Sequence, residues 1–185
     1  MPCQTGRGAP AQLGLAPGCR ESGTVFATRQ QEGADLSRAE FVDCTFTSCR
    51  LPRVFAEQTR FVRCQFKQVT CMGGEFREAQ FVDCRFEDCI LDGATLERVA
   101  LVRCQLVGVS LAGCIWDACR LEECRLAACD LSGARLEHVV LQAVGLVACS
   151  LYAGRWSRVR ARAVEWIQCC MEGLAMRELD CAGGV

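Results

Sequence analysis

Seventeen cysteines and one histidine are the residues of this 185-residue chain with the side chains for metal binding or nucleophilic attack. The histidine, His138, stands alone, so no Ser-His-Asp set can form around it. It follows Leu136 by two places and reads as a solvated surface residue. No P-loop, G-x-G-x-x-G or H-E-x-x-H motif occurs, and no carboxylate is set apart as a raised-pKa acid. That leaves the thiols. Twelve of the seventeen fall on a single five-residue register: Cys44, Cys49, Cys64, Cys84, Cys89, Cys104, Cys114, Cys119, Cys124, Cys129, Cys149 and Cys169. Chance would put roughly one-fifth of them there. A register that alternates Cys with Ala and Val uses cysteine as a small buried hydrophobe, which suits a reducing cytoplasm better than a disulfide framework. Cys3, Cys19 and Cys170 are the thiols expected to react, with Cys170 pointing outward beside Cys169.

The register belongs to a repeat. Phe81, Phe86, Leu91, Leu96, Leu101 and Leu106 lie five apart, a period that fits neither a helix nor a strand. From Leu36 to Cys181 there are thirty such central positions, and twenty-six hold Leu, Phe, Trp or Met. The exceptions, Ala56, Cys71, Ala161 and Cys181, include three that underfill the core. The thirty positions two places earlier, Ala34 to Leu179, hold only Ala, Cys, Val, Gly, Thr and Leu. A second period of twenty lies over the first, in FVDCTF from Phe41, FVRCQF from Phe61, FVDCRF from Phe81 and LVRCQL from Leu101. If twenty residues form one coil with four sides, residues twenty apart stack at about 4.8 Å. Interior columns then read Phe41, Phe61, Phe81, Leu101, Leu121, Leu141 and Phe46, Phe66, Phe86, Leu106, Leu126, Leu146. A column of Gly73, Gly93, Gly113, Gly133 and Gly173, with Ala153 among them, fits a corner turn.

Residues 34–181 resemble the pentapeptide-repeat family, through ADLSR at 34–38, CDLSG at 129–133 and ARLEH at 134–138. The resemblance implies an all-β fold, a right-handed quadrilateral parallel β-helix of about seven to eight coils, on the order of 35 Å long. The expected organisation is a flexible N-terminal tail at 1–25, the β-helix at 26–181 and a short tail at 182–185. Trp156, Trp166, Met171 and Met176, with Leu174 and Leu179, are expected to plug the last coil, or to be covered by a second copy or a partner. Stacked thiols such as Cys44, Cys64, Cys84, Cys104 and Cys124 would project in parallel. They could not converge tetrahedrally on zinc and are poorly aimed for disulfides. No cofactor and no metal is therefore expected.

What remains is surface. Twenty-two acids balance twenty-one bases, which argues against a strongly basic nucleic-acid binder. No apolar run approaches a membrane span, and the first residues lack the plan of a cleavable secretory signal. Asp43, Arg63, Asp83, Arg103 and Glu123 would stack in alternating sign and keep register. Val42, Val62, Val82 and Val102 form one outward stripe, and Val107, Val147 and Ile167, with Ala127, form another; both are candidate partner-contact surfaces. Arg155, Arg158, Arg160 and Arg162 are a candidate basic patch. The expected function is a non-catalytic, cytoplasmic bacterial scaffold that binds another protein, possible settings being a homodimer through a coil end and an effector or accessory role in a secretion system. The family resemblance also implies an alternative, a DNA-mimicking gyrase-binding protein giving quinolone tolerance. That mechanism needs an acidic rod. Residues 34–185 hold 20 acids and 18 bases, since residues 1–33 take two glutamates and three arginines.

Overall fold

The computed structural model describes residues 12–182. They form twenty-three strands of three residues each, from Arg20–Ser22 to Asp180–Ala182, and no helix among the described residues. In strand after strand only the middle residue is buried, as in Glu40–Val42 and Arg125–Ala127. The strands are short because the chain turns a corner every five residues. Each corner residue sits in the left-handed region, with φ of +54° at Asp43, +52° at Arg63 and +62° at Gly73. Twenty-four of these positions among the described residues are not glycine. For an L-residue that conformation costs about 1 kcal/mol.

Axial hydrogen bonding offsets the cost. The corner N–H of Asp43 donates to Val62 O at 2.9 Å, and that of Arg63 to Val82 O at 2.8 Å. The same pattern repeats at every level, so each coil templates the next. The result is a four-sided parallel solenoid of about eight turns in which each residue stacks on the one twenty places later. Phe41 pairs with Phe61, Leu101 with Leu121 and Leu146 with Trp166. Three sides are in-register sheets of nine, eight and six strands. They begin at Arg20–Ser22, Val25–Ala27 and Glu75–Arg77 and are named here the first, second and fourth sides. The third side is tied by single bridges, from Gln30–Arg50 up to Ser150–Cys170.

Stacked rings fill the early coils. Phe41, Phe61 and Phe81 lie with centroids 5.0 and 4.9 Å apart and planes within 8°. Phe46, Phe66 and Phe86 do the same at 5.0 and 4.6 Å, edge-on to the first stack. At Leu101 and Leu106 both columns change to leucine together. On the fourth side the column includes Trp116 and Trp156, whose indole N–H groups are buried without a partner. Gly74 is needed for space: a Cβ there would lie 2.9 Å from the Phe76 ring.

Both ends differ from expectation. Residues 12–25, taken as part of a loose tail, are held in the solenoid: Arg20–Ser22 pairs with Glu40–Val42, and Val25–Ala27 with Thr45–Thr47. The sequence pattern hides this coil because its inward slots carry Glu21 and Gln31 where later coils hold Leu or Phe, and Arg29 where they hold Cys or Val. Glu21 is satisfied by the Thr24 hydroxyl at 2.8 Å. At the other end Asp180–Ala182 pairs with Arg160–Arg162, so the fold runs one residue past its expected limit. The remaining tail assignments, residues 1–11 and 183–185, lie outside the described residues. The last coil is not plugged by its own large side chains. Met171, Met176 and Leu179 stay 38%, 37% and 38% exposed, because no later coil among the described residues covers them.

Candidate functional site

The two apolar stripes occupy equivalent slots on neighbouring sides. On the first side Val42, Val62, Val82 and Val102 stack in register and are each half-buried. The column continues into Glu122 and Gln142, so it ends in polar residues. On the second side Val107, Ala127, Val147 and Ile167 stack without interruption over four coils. Val107 is 40% and Ile167 46% exposed. The adjoining corner holds Gly108, Ala128, Ala148 and Gln168, with the Asp88 carboxylate lying against Gly108 at its lower end. On the corner flank Gly108, Ala128 and Ala148 keep the edge low, while the opposite edge carries Gln105, Arg125, Gly145 and Glu165.

Charge is concentrated on other corners. Arg63 donates to Asp43 in a two-bond fork, Nε to Oδ1 at 2.7 Å and Nη2 to Oδ2 at 2.8 Å. Arg103 holds Asp83 in the same way at 2.7 and 2.9 Å. The expected ladder is thus resolved into discrete pairs. The guanidinium forks hold the Asp43 and Asp83 carboxyls below the usual carboxylate range.

The four arginines of the candidate patch are spread over two sides. Arg155 lies on the fourth side, Arg158 at the next corner, and Arg160 and Arg162 flank Ala161 on the first side. Arg158 is engaged within the protein: its Nε is 3.1 Å from Glu178, and its Nη1 is 3.7 Å from Glu137 and 3.2 Å from His138 Nε2. His138 Nδ1 in turn lies 3.3 Å from Asp117 Oδ1. A surface groove of about 480 Å³ runs between His138, Arg158, Arg160, Glu178 and Asp180. It is shallow, and the histidine in it is bracketed by an acid and a base already paired.

The thiols are the least expected part of the structure. All sixteen cysteines among the described residues are free. Ten of them stand in two long inner columns, Cys44, Cys64, Cys84, Cys104, Cys124 and Cys49, Cys89, Cys129, Cys149, Cys169, the second interrupted by Val69 and Val109. In all of these but Cys44, which donates to Val42 O, the Sγ–H donates to the carbonyl twenty-three residues back: Cys64 to Phe41 O at 3.4 Å, Cys84 to Phe61 O at 3.5 Å, Cys149 to Leu126 O at 3.4 Å. Thr59, the buried polar residue of the core, makes the same bond to Leu36 O at 2.7 Å. Sequence reasoning treated cysteine only as a small apolar filler. The donor role appears once a coil is stacked on its neighbour, and the sole hint was that Thr59 shares the register. Burial pushes isolated thiols up, to about 12 at Cys114 and about 11 at Cys89 and Cys119. Within the stacks a neighbouring thiol that donates to a thiolate lowers it, as Cys124 does at Cys104 and Cys129 does at Cys149. Among the described residues no three or more His, Cys, Asp or Glu side chains converge on one point. In-register side chains project in parallel.

Among the described residues no helix is long and apolar enough to cross a membrane. No curated protein sequence matches this chain. Solved structures do. A trypsin-treated variant of QnrB1, described as a plasmid-mediated fluoroquinolone resistance protein, aligns over 88% of this chain and 91% of its own at 11% identity, with a TM-score of 0.56. Full-length QnrB1 aligns over 90% and 85% at 14% identity, with a TM-score of 0.53. HetL from Nostoc sp., a protein involved in heterocyst differentiation regulation, covers 83% of this chain and 87% of its own at 12% identity and a TM-score of 0.46. At such identities the likeness is one of fold. A family model for pentapeptide repeats, in 8 copies, matches residues 79–115 and 104–142. The same five-residue register runs from Ala34 to Cys181 on both sides of the matched stretch, and the same four-sided coil is built throughout the described residues. Residues 79–142 match the pentapeptide-repeat family, and the described residues on either side share their fold.

Proposed function

We propose that this rod is a non-catalytic, protein-binding scaffold, and that its contact surface is the second-side strip of Val107, Ala127, Val147 and Ile167. One observation carries this reading. The strip is solvent-facing and apolar over four consecutive coils, and three of the four residues at the corner beside it, Gly108, Ala128 and Ala148, are small. A contiguous exposed apolar strip is what a flat protein partner can cover. The first-side valines are the poorer candidate. All four are half-buried, whereas Val107 and Ile167 are exposed, and the Asp43–Arg63 and Asp83–Arg103 pairs stand along their edge.

The test is a capture from bacterial lysate with the immobilised chain and two double variants, Val147→Lys with Ile167→Lys, and Val62→Lys with Val82→Lys. The expected result is a partner held by the wild type and by the Val62/Val82 variant and lost with the Val147/Ile167 variant. Identical captures by all three would remove the strip from the reading. The gyrase-binding alternative has the fold of QnrB1 in its favour. Against it stand the near-balanced charge and the Arg–Asp pairs, which interrupt any continuous acidic stripe. A supercoiling assay at micromolar chain decides it: inhibition or protection of gyrase would favour the alternative over the strip. The cytoplasmic setting rests on the free thiols. Export would need residues 1–33, and a reporter fused to them and retained in the cell would end that idea.

A further inference from the structure

Two requirements distinguish one end of the cysteine columns from the rest of the core. The sulfurs there must repeat at the coil spacing, and one must be reachable from solvent. Cys129, Cys149 and Cys169 meet both. Their Sγ–H groups make one repeated pair of bonds: to Leu106, Leu126 and Leu146 O at 3.5, 3.4 and 3.4 Å, and to Ala127, Val147 and Ile167 O at 3.5, 3.5 and 3.6 Å. The three side chains therefore share one rotamer, and moving up one coil carries each sulfur onto the next. Cys169 is half-buried at the open end of the rod.

The coil spacing, read from the phenylalanine stacks, is 4.6–5.0 Å. A disulfide needs sulfurs about 2.05 Å apart and would require two coils to pinch together. Zinc needs four converging ligands, and parallel side chains cannot supply them. A two-coordinate ion is different. Placed midway between neighbouring sulfurs it lies about 2.4 Å from each, a metal–thiolate bond length, with both C–S bonds perpendicular to the S–metal–S line.

We propose that the Cys149–Cys169 pair is a linear binding site for a soft, divalent, two-coordinate d10 cation. Softness selects thiolate. Valence follows from burial: two thiolates neutralise a dication, whereas a monovalent ion would leave a net charge in an apolar slot. Two S–H bonds break, two S–metal bonds form and two protons pass to solvent; nothing is oxidised. The longer column from Cys44 to Cys124 has the same spacing but is sealed, with Thr24 below it and Val144 above, and it stays unloaded in the folded rod.

The probe is mercury(II) chloride, added to the reduced full chain in a background where Cys3, Cys19, Cys170 and Cys181 are replaced by serine. Native mass spectrometry is expected to show one tightly held ion per chain. X-ray absorption is expected to show two sulfur neighbours, and thermal unfolding to shift upward. Cys149→Val should abolish the tight ion while leaving the chain folded, because Val69 and Val109 already occupy the same column. Cys169→Val should do the same, and Cys84→Val should change nothing. A single sulfur neighbour, three or more, an unchanged stoichiometry in Cys149→Val, loss of β-structure on loading, or displacement by a tenfold excess of zinc would each overturn the assignment.

Discussion

The coils lined by phenylalanine and those lined by leucine share one backbone and differ in nearly everything attached to it. In the first group Phe26 to Phe86 form two stacks of rings, and the corner outside carries Arg–Asp forks. In the second the same columns hold Leu101 to Leu146. The second-side corner outside holds Gly108, Ala128 and Ala148, and the valine and isoleucine strip is bare. The axial hydrogen bonds run through both groups without a break. Because the backbone closes every coil in the same way, core and surface can change independently along the axis. A rod of this kind can devote one length to stability and another to contact.

The largest expected effect tests whether the aromatic half is the more strongly held. Phe61→Ala removes a ring stacked on both neighbours at 5.0 and 4.9 Å and should cost about 4 kcal/mol. Leu121→Ala, in the same column one group higher, should cost about 3 kcal/mol. Urea unfolding followed by circular dichroism reads the difference. Equal costs would mean that ring stacking adds nothing beyond buried area, and the contrast between the halves would then lie only at the surface.

A smaller effect of opposite sign is expected where the aromatic half is imperfect. An apolar cavity of about 40 Å³ lies against Cys71, Leu51, Val54, Phe76 and Leu91. Cys71 is the residue that underfills its column, since Leu51, Leu91 and Leu111 occupy the same slot in other coils. Cys71→Leu should fill the space and stabilise the rod by about 1 kcal/mol, at roughly 24 cal/mol per Å³ of cavity. A destabilised variant would show that the neighbouring Phe76 ring needs the room.

Much of this architecture was legible in the sequence. The period of five gave corners, the period of twenty gave stacked columns, and Cys71 could be picked out as too small before any coordinate was known. Three things were not legible. The first coil was missed because Glu21, Arg29 and Gln31 break the apolar register while the backbone still pairs. For the open C-terminal end, a plug of its own large side chains Met171, Met176 and Leu179 stood beside cover by a second copy or a partner, and the first fails because size fills a coil only if another coil lies beyond it. The cysteine hydrogen bonds could not be read because their acceptors lie twenty-three residues away, a distance with no meaning until the coils are stacked. As for the candidate site, composition located both apolar stripes; which one has the low corner edge depends on corner residues whose direction only the backbone fixes.

The smallest expected effect concerns the charged corner of the aromatic half. Arg63 and Arg103 hold the Asp43 and Asp83 carboxyls below their usual range. A carboxyl depressed in the folded state stabilises the fold above the unfolded value, about 3.9, and that contribution fades as the pH falls through the folded value. All four side chains are solvent-exposed, so salt screens the pairs. Replacing Arg63 and Arg103 by alanine should therefore lower the urea midpoint slightly at pH 7 and low salt. The gap between wild type and variant should close in 1 M sodium chloride and again near pH 2. A gap that persisted under both conditions would assign the loss to packing of the arginine stems over Val42, Val62, Val82 and Val102, not to charge, and the two halves would then differ in apolar cover instead of electrostatics.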